Sequence, residues 1–161
     1  MVAYLYMHFL FFLNNSFSQF SEKDIKEMVS HGTKEELIYE WNYAIESSEF
    51  RYADLISEAL IKKEPKNPNF IYRKGYTSVH YKKDFVEALK LFTKILKNVA
   101  KDYKSESSTE TRAPYEVYYY YAYCQDQLGN IKKNTHLRLQ RTVAVVQAVT
   151  LRRMQGTFIT K

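Results

Sequence analysis

The stretch that decides the fold runs from Glu49 to Asn69 and reads EFRYADLISEALIKKEPKNPN. An aromatic, Phe50, stands three residues before Ala53, amphipathic turns follow, and Pro65 arrives twelve residues after the alanine. A second stretch, Lys82 to Asp102, KKDFVEALKLFTKILKNVAKD, repeats the arrangement with Phe85 before Ala88. A small residue on an amphipathic helix marks a place where two helices touch, and a proline marks where the chain must leave the helix. Recurrence of one helical unit at a spacing of about 35 residues points to stacked helix pairs.

Working outward, helix punctuation is regular. Ser21 and Thr33 each precede an acid by three residues, Asp24 and Glu36, as a capping box requires, and Asn67-Pro68 offers a cap followed by a first-turn proline. Pro114 is read as the first-turn proline of a tyrosine-rich segment, PYEVYYYYAY. Helices are predicted over residues 22–30, 34–46, 50–63, 68–81, 84–100 and 114–128, with turns near Gly32, Ser47-Ser48, Lys82-Lys83 and Gly129-Asn130. The polar run DYKSESSTETR, about residues 102–112, reads as an exposed insert. The fold class is all-α, an α-solenoid of antiparallel helix pairs with about three repeats, the last incomplete.

The first helices of the pairs align as well. NPNFIYRKGY places Gly75, and APYEVYYYYAY places Ala122, at the small position. Together with the two second-helix stretches, these residues make the chain resemble the tetratricopeptide repeat family over about residues 34–133. Trp41 is bulky at the corresponding position of the first repeat, and the second repeat carries one extra residue between Gly75 and Ala88. The combination EPKNPNFIYRKGY, EALKLFTKILKNVAKDYK and RAPYEVYYYYAYCQDQLGN is similar to the N-terminal repeats of exported OmpA-family envelope proteins of the Bacteroidota type. That resemblance implies the front end of a larger envelope protein, exported and periplasmic or associated with the outer membrane.

The ends of the chain read differently from its body. Val2 to Leu13 is an apolar run of signal-peptide length, too short for the roughly 20 residues a membrane span needs. Ser16-Phe17-Ser18 follows as a small-x-small site, so residues 1–18 read as a signal peptide and 19–133 as the repeat domain. The net charge of +6 does not describe a basic body. Glu22 to Lys133 holds nineteen Lys and Arg against eighteen acids, whereas residues 134–161 hold five basic residues and no acid. This segment is either a natural basic tail or a product of a reading frame lost near codon 134.

Chemistry-bearing constellations are sparse. His8, His31, His80 and His136 are scattered, and Cys124 is the only cysteine. The sequence has no Gly-rich phosphate loop or G-x-S-x-G elbow. The expectation is a non-catalytic scaffold without cofactor or metal. In the resemblance, the fifth and ninth residues of each first helix face a groove. These are Tyr72 and Tyr76 in repeat two, Tyr119 and Tyr123 in repeat three, and Ile38 and Asn42 in repeat one. Asn69, Glu116 and Asp126 would supply a polar rim. Tyr118 and Tyr121 are assigned to the seam between helices, and Tyr120 to neither. Such a tyrosine ladder fits a protein or peptide partner of the envelope, or a glycan whose rings stack on the phenols. The nearest charge to Tyr119 is Glu116, which disfavours nucleic acid. Three repeats without a capping helix predict a marginally stable or self-associating product.

Overall fold

A computed structural model describes residues 22–130. The signal-peptide reading, the Ser21 cap and the atypical tail therefore lie outside the described residues. Six α-helices make up most of this part: α1 (Glu22–His31), α2 (Lys34–Glu46), α3 (Phe50–Lys63), α4 (Pro68–Thr77), α5 (Phe85–Ile95) and α6 (Val117–Gln127). A π-helical turn, Ser78–Lys82, extends α4, and a two-residue parallel pair joins β1 (Val99–Ala100) to β2 (Ala113–Pro114). From α2 onward each helix packs on its successor, while α1 lies against α3.

The caps follow local chemistry. Thr33 and Glu36 form a reciprocal capping box on α2, the Asn67 side chain accepts from the Asn69 N–H with Pro68 at the first turn of α4, and Asp84 accepts from the Glu87 N–H on α5. Turns that need a left-handed residue use Ser48 (φ 61°), Lys83 (φ 55°) and Gly129 (φ 70°).

Three expectations are corrected. The helix predicted to reach residue 100 stops at Ile95, because Val99 and Ala100 leave it to pair with Ala113 and Pro114. Pro114 consequently lies in that extended pair, a conformation the residue before a proline also favours, and α6 starts at Val117. The helix predicted over 68–81 changes at Ser78 into a π turn. Trp41 to Ala53 is twelve positions and Gly75 to Ala88 is thirteen. The π turn, whose bonds reach one residue further than those of an α-helix, holds one residue more than an α turn would.

Two clusters form the core. One joins Val29, Leu37, Ile38, Trp41, Ala53, Ile56 and Leu60; the other joins Ile71, Tyr72, Phe92, Ile95, Val117 and Cys124, and Tyr76 packs against both. The small positions act as helix contacts: Ala44, Ala53 and Ala88 are fully buried, and a Cβ on Gly75 would lie 2.5 Å from Phe92 Cε1. Cys124 is buried and its thiol pKa is pushed up to about 11 by that burial, so it behaves as a packing residue.

The Gly75 contact yields a signed expectation. In an exposed helix Gly→Ala gains up to about 1 kcal/mol. Here the methyl would overpack an aromatic, costing roughly 1–3 kcal/mol. Gly75→Ala is expected to lower the urea midpoint, and adding Phe92→Leu to restore part of the loss, as equilibrium denaturation of the single and double variants would show.

Candidate functional site

Helix α4 carries the polar chemistry of the molecule. Asn69, Arg73, Lys74 and Thr77 are all buried on it. On one side Lys74 reaches Asp54 and Glu58 of α3, each at 2.8 Å, and Lys82 approaches the same acids at 3.0 and 3.5 Å. Thr77 Oγ1 donates to Asp54 at 2.7 Å. Burial works against ionisation of Asp54, but bonds from Lys74, Thr77 and Lys82 outweigh it and hold the carboxyl below its ordinary value. This is a matched pair of ion pairs, able to lock α3 to α4 and the π turn.

On the other side Arg73 is the largest fully buried side chain. Its guanidinium lies 4.4 Å above the Trp41 ring of α2. Nε donates to Asn69 Oδ1 at 3.1 Å, Nη1 to Asn42 Oδ1 at 3.1 Å, and Nη2 to the Ser105 carbonyl at 2.5 Å and the Tyr103 hydroxyl at 3.5 Å. No carboxylate among the described residues lies within ion-pair distance of it. Burial lowers its pKa, yet a guanidinium stays charged at neutral pH.

Ser105 and Tyr103 belong to the segment read as an exposed insert. Most of its residues are exposed, but the segment is a strap seated on α2 and α4. Tyr103 donates to Asn69 Oδ1 at 2.6 Å and lies edge-on to Tyr72. Glu110 is buried and accepts from the backbone N–H of Lys104 and of Arg112, bracing the two ends of the strap. Hydrogen bonding to Arg112 holds its carboxyl below the ordinary range despite partial burial.

The four-tyrosine ladder separates. Tyr72 is 8% exposed and enclosed by Tyr76, Phe92, Tyr103 and Tyr120 at ring separations of 6.1–6.5 Å. It is a core ring and offers no open surface, because the strap brings Tyr103 over it. Tyr76 is half-buried, edge-on to Trp41 and stacked on His80 at 4.2 Å. Tyr119 and Tyr123 are half-buried too, stacked on each other at 6.1 Å along α6. Asn69 is wholly buried and Asn42 is engaged with Arg73, so neither forms an exposed rim. Glu116 and Asp126, at the two ends of α6, are half-buried. Ile38 is buried in the first cluster.

The seam assignment changes for Tyr118 and not for Tyr121, which packs against the second core cluster. Tyr118 is 41% exposed, with its hydroxyl on the Leu96 carbonyl at 3.0 Å, while Tyr120 packs against Tyr72, Tyr76, His80 and Phe92. Tyr121 is half-buried and accepts from Gln125. Among the described residues no group of three His, Cys, Asp or Glu could hold a metal ion, and no helix is long and apolar enough to cross a membrane. Sequence reading passed over Arg73, Trp41 as its ring partner, and Tyr103; the spacing of four between Asn69 and Arg73 was the available signal.

Compared with known proteins, the chain matches no family model, no curated protein and no solved structure.

His80 gives the site a pH response. Its ring is stacked between Tyr76 and Phe50, and burial, helped by nearby Lys83, lowers its pKa. The folded state therefore binds a proton less readily than the unfolded state, whose imidazole titrates near 6.5. Stability is expected to fall as pH drops from about 6.5 through the folded value, and His80→Phe to flatten that slope. Asp54 adds a stabilisation that is fully present above its unfolded pKa of about 3.9 and is lost as pH falls through its depressed folded value. Thermal melts across pH 3–8 of the parent, His80→Phe and Asp54→Asn would separate the two windows.

Proposed function

We propose that this chain is a non-catalytic protein-interaction scaffold built from tetratricopeptide-like helix pairs, of the kind found at the front of exported OmpA-family envelope proteins. The successive packing of α2 to α6, the small residues at Ala53, Gly75 and Ala88, and the close Gly75–Phe92 approach support the repeat reading. The partner surface moves relative to the sequence expectation. Its first-helix face at repeats one and two is covered by the strap, whereas α6 carries Tyr119 and Tyr123 as a stacked, half-exposed pair.

That pair carries the proposal. Tyr115 (43% exposed) and Tyr118 (41%) stand beside it in edge contact at 5.0 Å. Four phenols on one short helix and its entry turn provide apolar area with a hydrogen-bonding tip on each ring, the chemistry enriched at protein interfaces. Glu116 and Asp126 lie at the ends of the same helix and would set the polarity of the rim. A partner is accordingly a protein or peptide of the envelope.

The test is a tagged full chain against its Tyr119→Ala/Tyr123→Ala variant in pull-downs from envelope extract. Loss of at least one specific band, with the melting temperature within a few degrees of the parent, is the expected result. Retention of every captured protein would remove α6 as the interface, and sedimentation of the parent with purified peptidoglycan, lost in the variant, would assign the rings to glycan instead.

A further inference from the structure

The Ser105 carbonyl occupies a position with unusual surroundings for a neutral oxygen. Arg73 Nη2 donates to it at 2.5 Å and Asn42 Nδ2 at 3.3 Å. Asn42 is oriented for this role because its own Oδ1 accepts from Arg73 Nη1. The result is a flat, preorganised fork of donors, held from below by the Trp41 ring and from the side by Asn69. Every acceptor around the guanidinium among the described residues is neutral: two amide oxygens, a phenol and a backbone carbonyl. A buried cation satisfied by dipoles alone gains more from an anionic acceptor than from a neutral one.

The carbonyl that fills the fork sits at the rim of the molecule, since Lys104, Ser105 and Glu106 are all exposed. Below it, Arg73 is wholly covered. Vacating the oxygen position takes a displacement of the exposed residues 104–106, which Tyr103, bonded to Asn69 and packed on Tyr72, and the Asn69 contact to the Glu110 carbonyl resist. Of the strap's acids, Glu106 is exposed to solvent beside Ser105, and the buried Glu110 is committed to Arg112 and to two backbone N–H groups, which limits its repulsion of an incoming anion.

We propose that Arg73 and Asn42 form an oxyanion-binding site, for a carboxylate or phosphate group, which the Ser105 carbonyl of the strap closes by standing in for the ligand oxygen. The site is separate from the tyrosines of α6 and does not depend on their having a partner. The ligand replaces one acceptor by a charged one, and the strap lifts as it binds. Because opening precedes or accompanies binding, the apparent affinity scales with the open fraction. Loosening the strap must therefore tighten binding.

Trp41 is the only tryptophan of the chain and reports on the site directly. Its emission is to be followed in the full chain during titration with inorganic phosphate, and separately with acetate, at ionic strength fixed by chloride. A saturable change with either probe is expected; which one responds identifies the anion class. Tyr103→Phe removes the bond to Asn69 and the long contact to Arg73 Nη2 but keeps the ring, and should bind at least about five-fold more tightly, the effect of one neutral hydrogen bond on the open fraction. Arg73→Gln, where circular dichroism shows it folded, should give no response. Absence of a saturable change in both the parent and Tyr103→Phe, equal affinity in those two, or an undiminished response in folded Arg73→Gln would overturn the proposal.

Discussion

Burial of α4 on all sides is the constraint from which most of the arrangement follows. A helix surrounded by protein is ordinarily apolar throughout, but this one carries Asn69, Arg73, Lys74 and Thr77 into the interior. An ion removed from water without compensation costs several kcal/mol, so each charge on α4 dictates a partner. For Lys74 the partners are Asp54 and Glu58 of α3, which fixes how α3 lies against α4. For Arg73 they are the Trp41 ring, two asparagines and the strap, which fixes α2 and draws a polar connection inward from the surface. One helix thus specifies its neighbours through two different kinds of compensation, ionic on one side and dipolar on the other.

The aromatic residues connect what the charges position. Tyr76 belongs to the margins of both core clusters, and Tyr120 reaches from α6 to Tyr72, Tyr76, His80 and Phe92. Edge-on and tilted contacts dominate among these rings, the geometry their quadrupoles favour. The ring network therefore transmits packing between α4, the π turn, α5 and α6; Tyr119 and Tyr123 join it by one edge each, on Tyr120 and on Phe85, and Tyr115 and Tyr118 stand outside it.

Helix boundaries were largely legible because capping and proline chemistry act locally: α2 and α3 have the bounds that Thr33, Glu36 and the turn at Ser47-Ser48 indicate. What was not legible depended on distant pairing. Pro114 looks like a helix opener on local grounds, and only its pairing with Ala100, through a segment whose composition says loop, makes it extended. The candidate site failed in the same way. The repeat resemblance puts Tyr72 and Tyr119 on equivalent groove faces, whereas the strap buries Tyr72 and leaves Tyr119 half-exposed. Tyr103 was the visible clue, a large ring within an otherwise polar run. Asn42 was selected for the right location and the wrong task, since its carboxamide orients a buried guanidinium.

The π turn at Ser78–Lys82 has a consequence for the phase of the chain. Each residue added to a helix rotates everything after it by about 100°, enough to carry a contact face away from its partner. The widened turn, one residue longer than an α turn, confines such a rotation to five positions and closes with the left-handed Lys83. Downstream, Phe92 of α5 keeps its aim at Gly75 of α4. The turn thus works as a phase corrector, setting the angle at which the chain leaves α4 so that the helix contacts on either side remain in step.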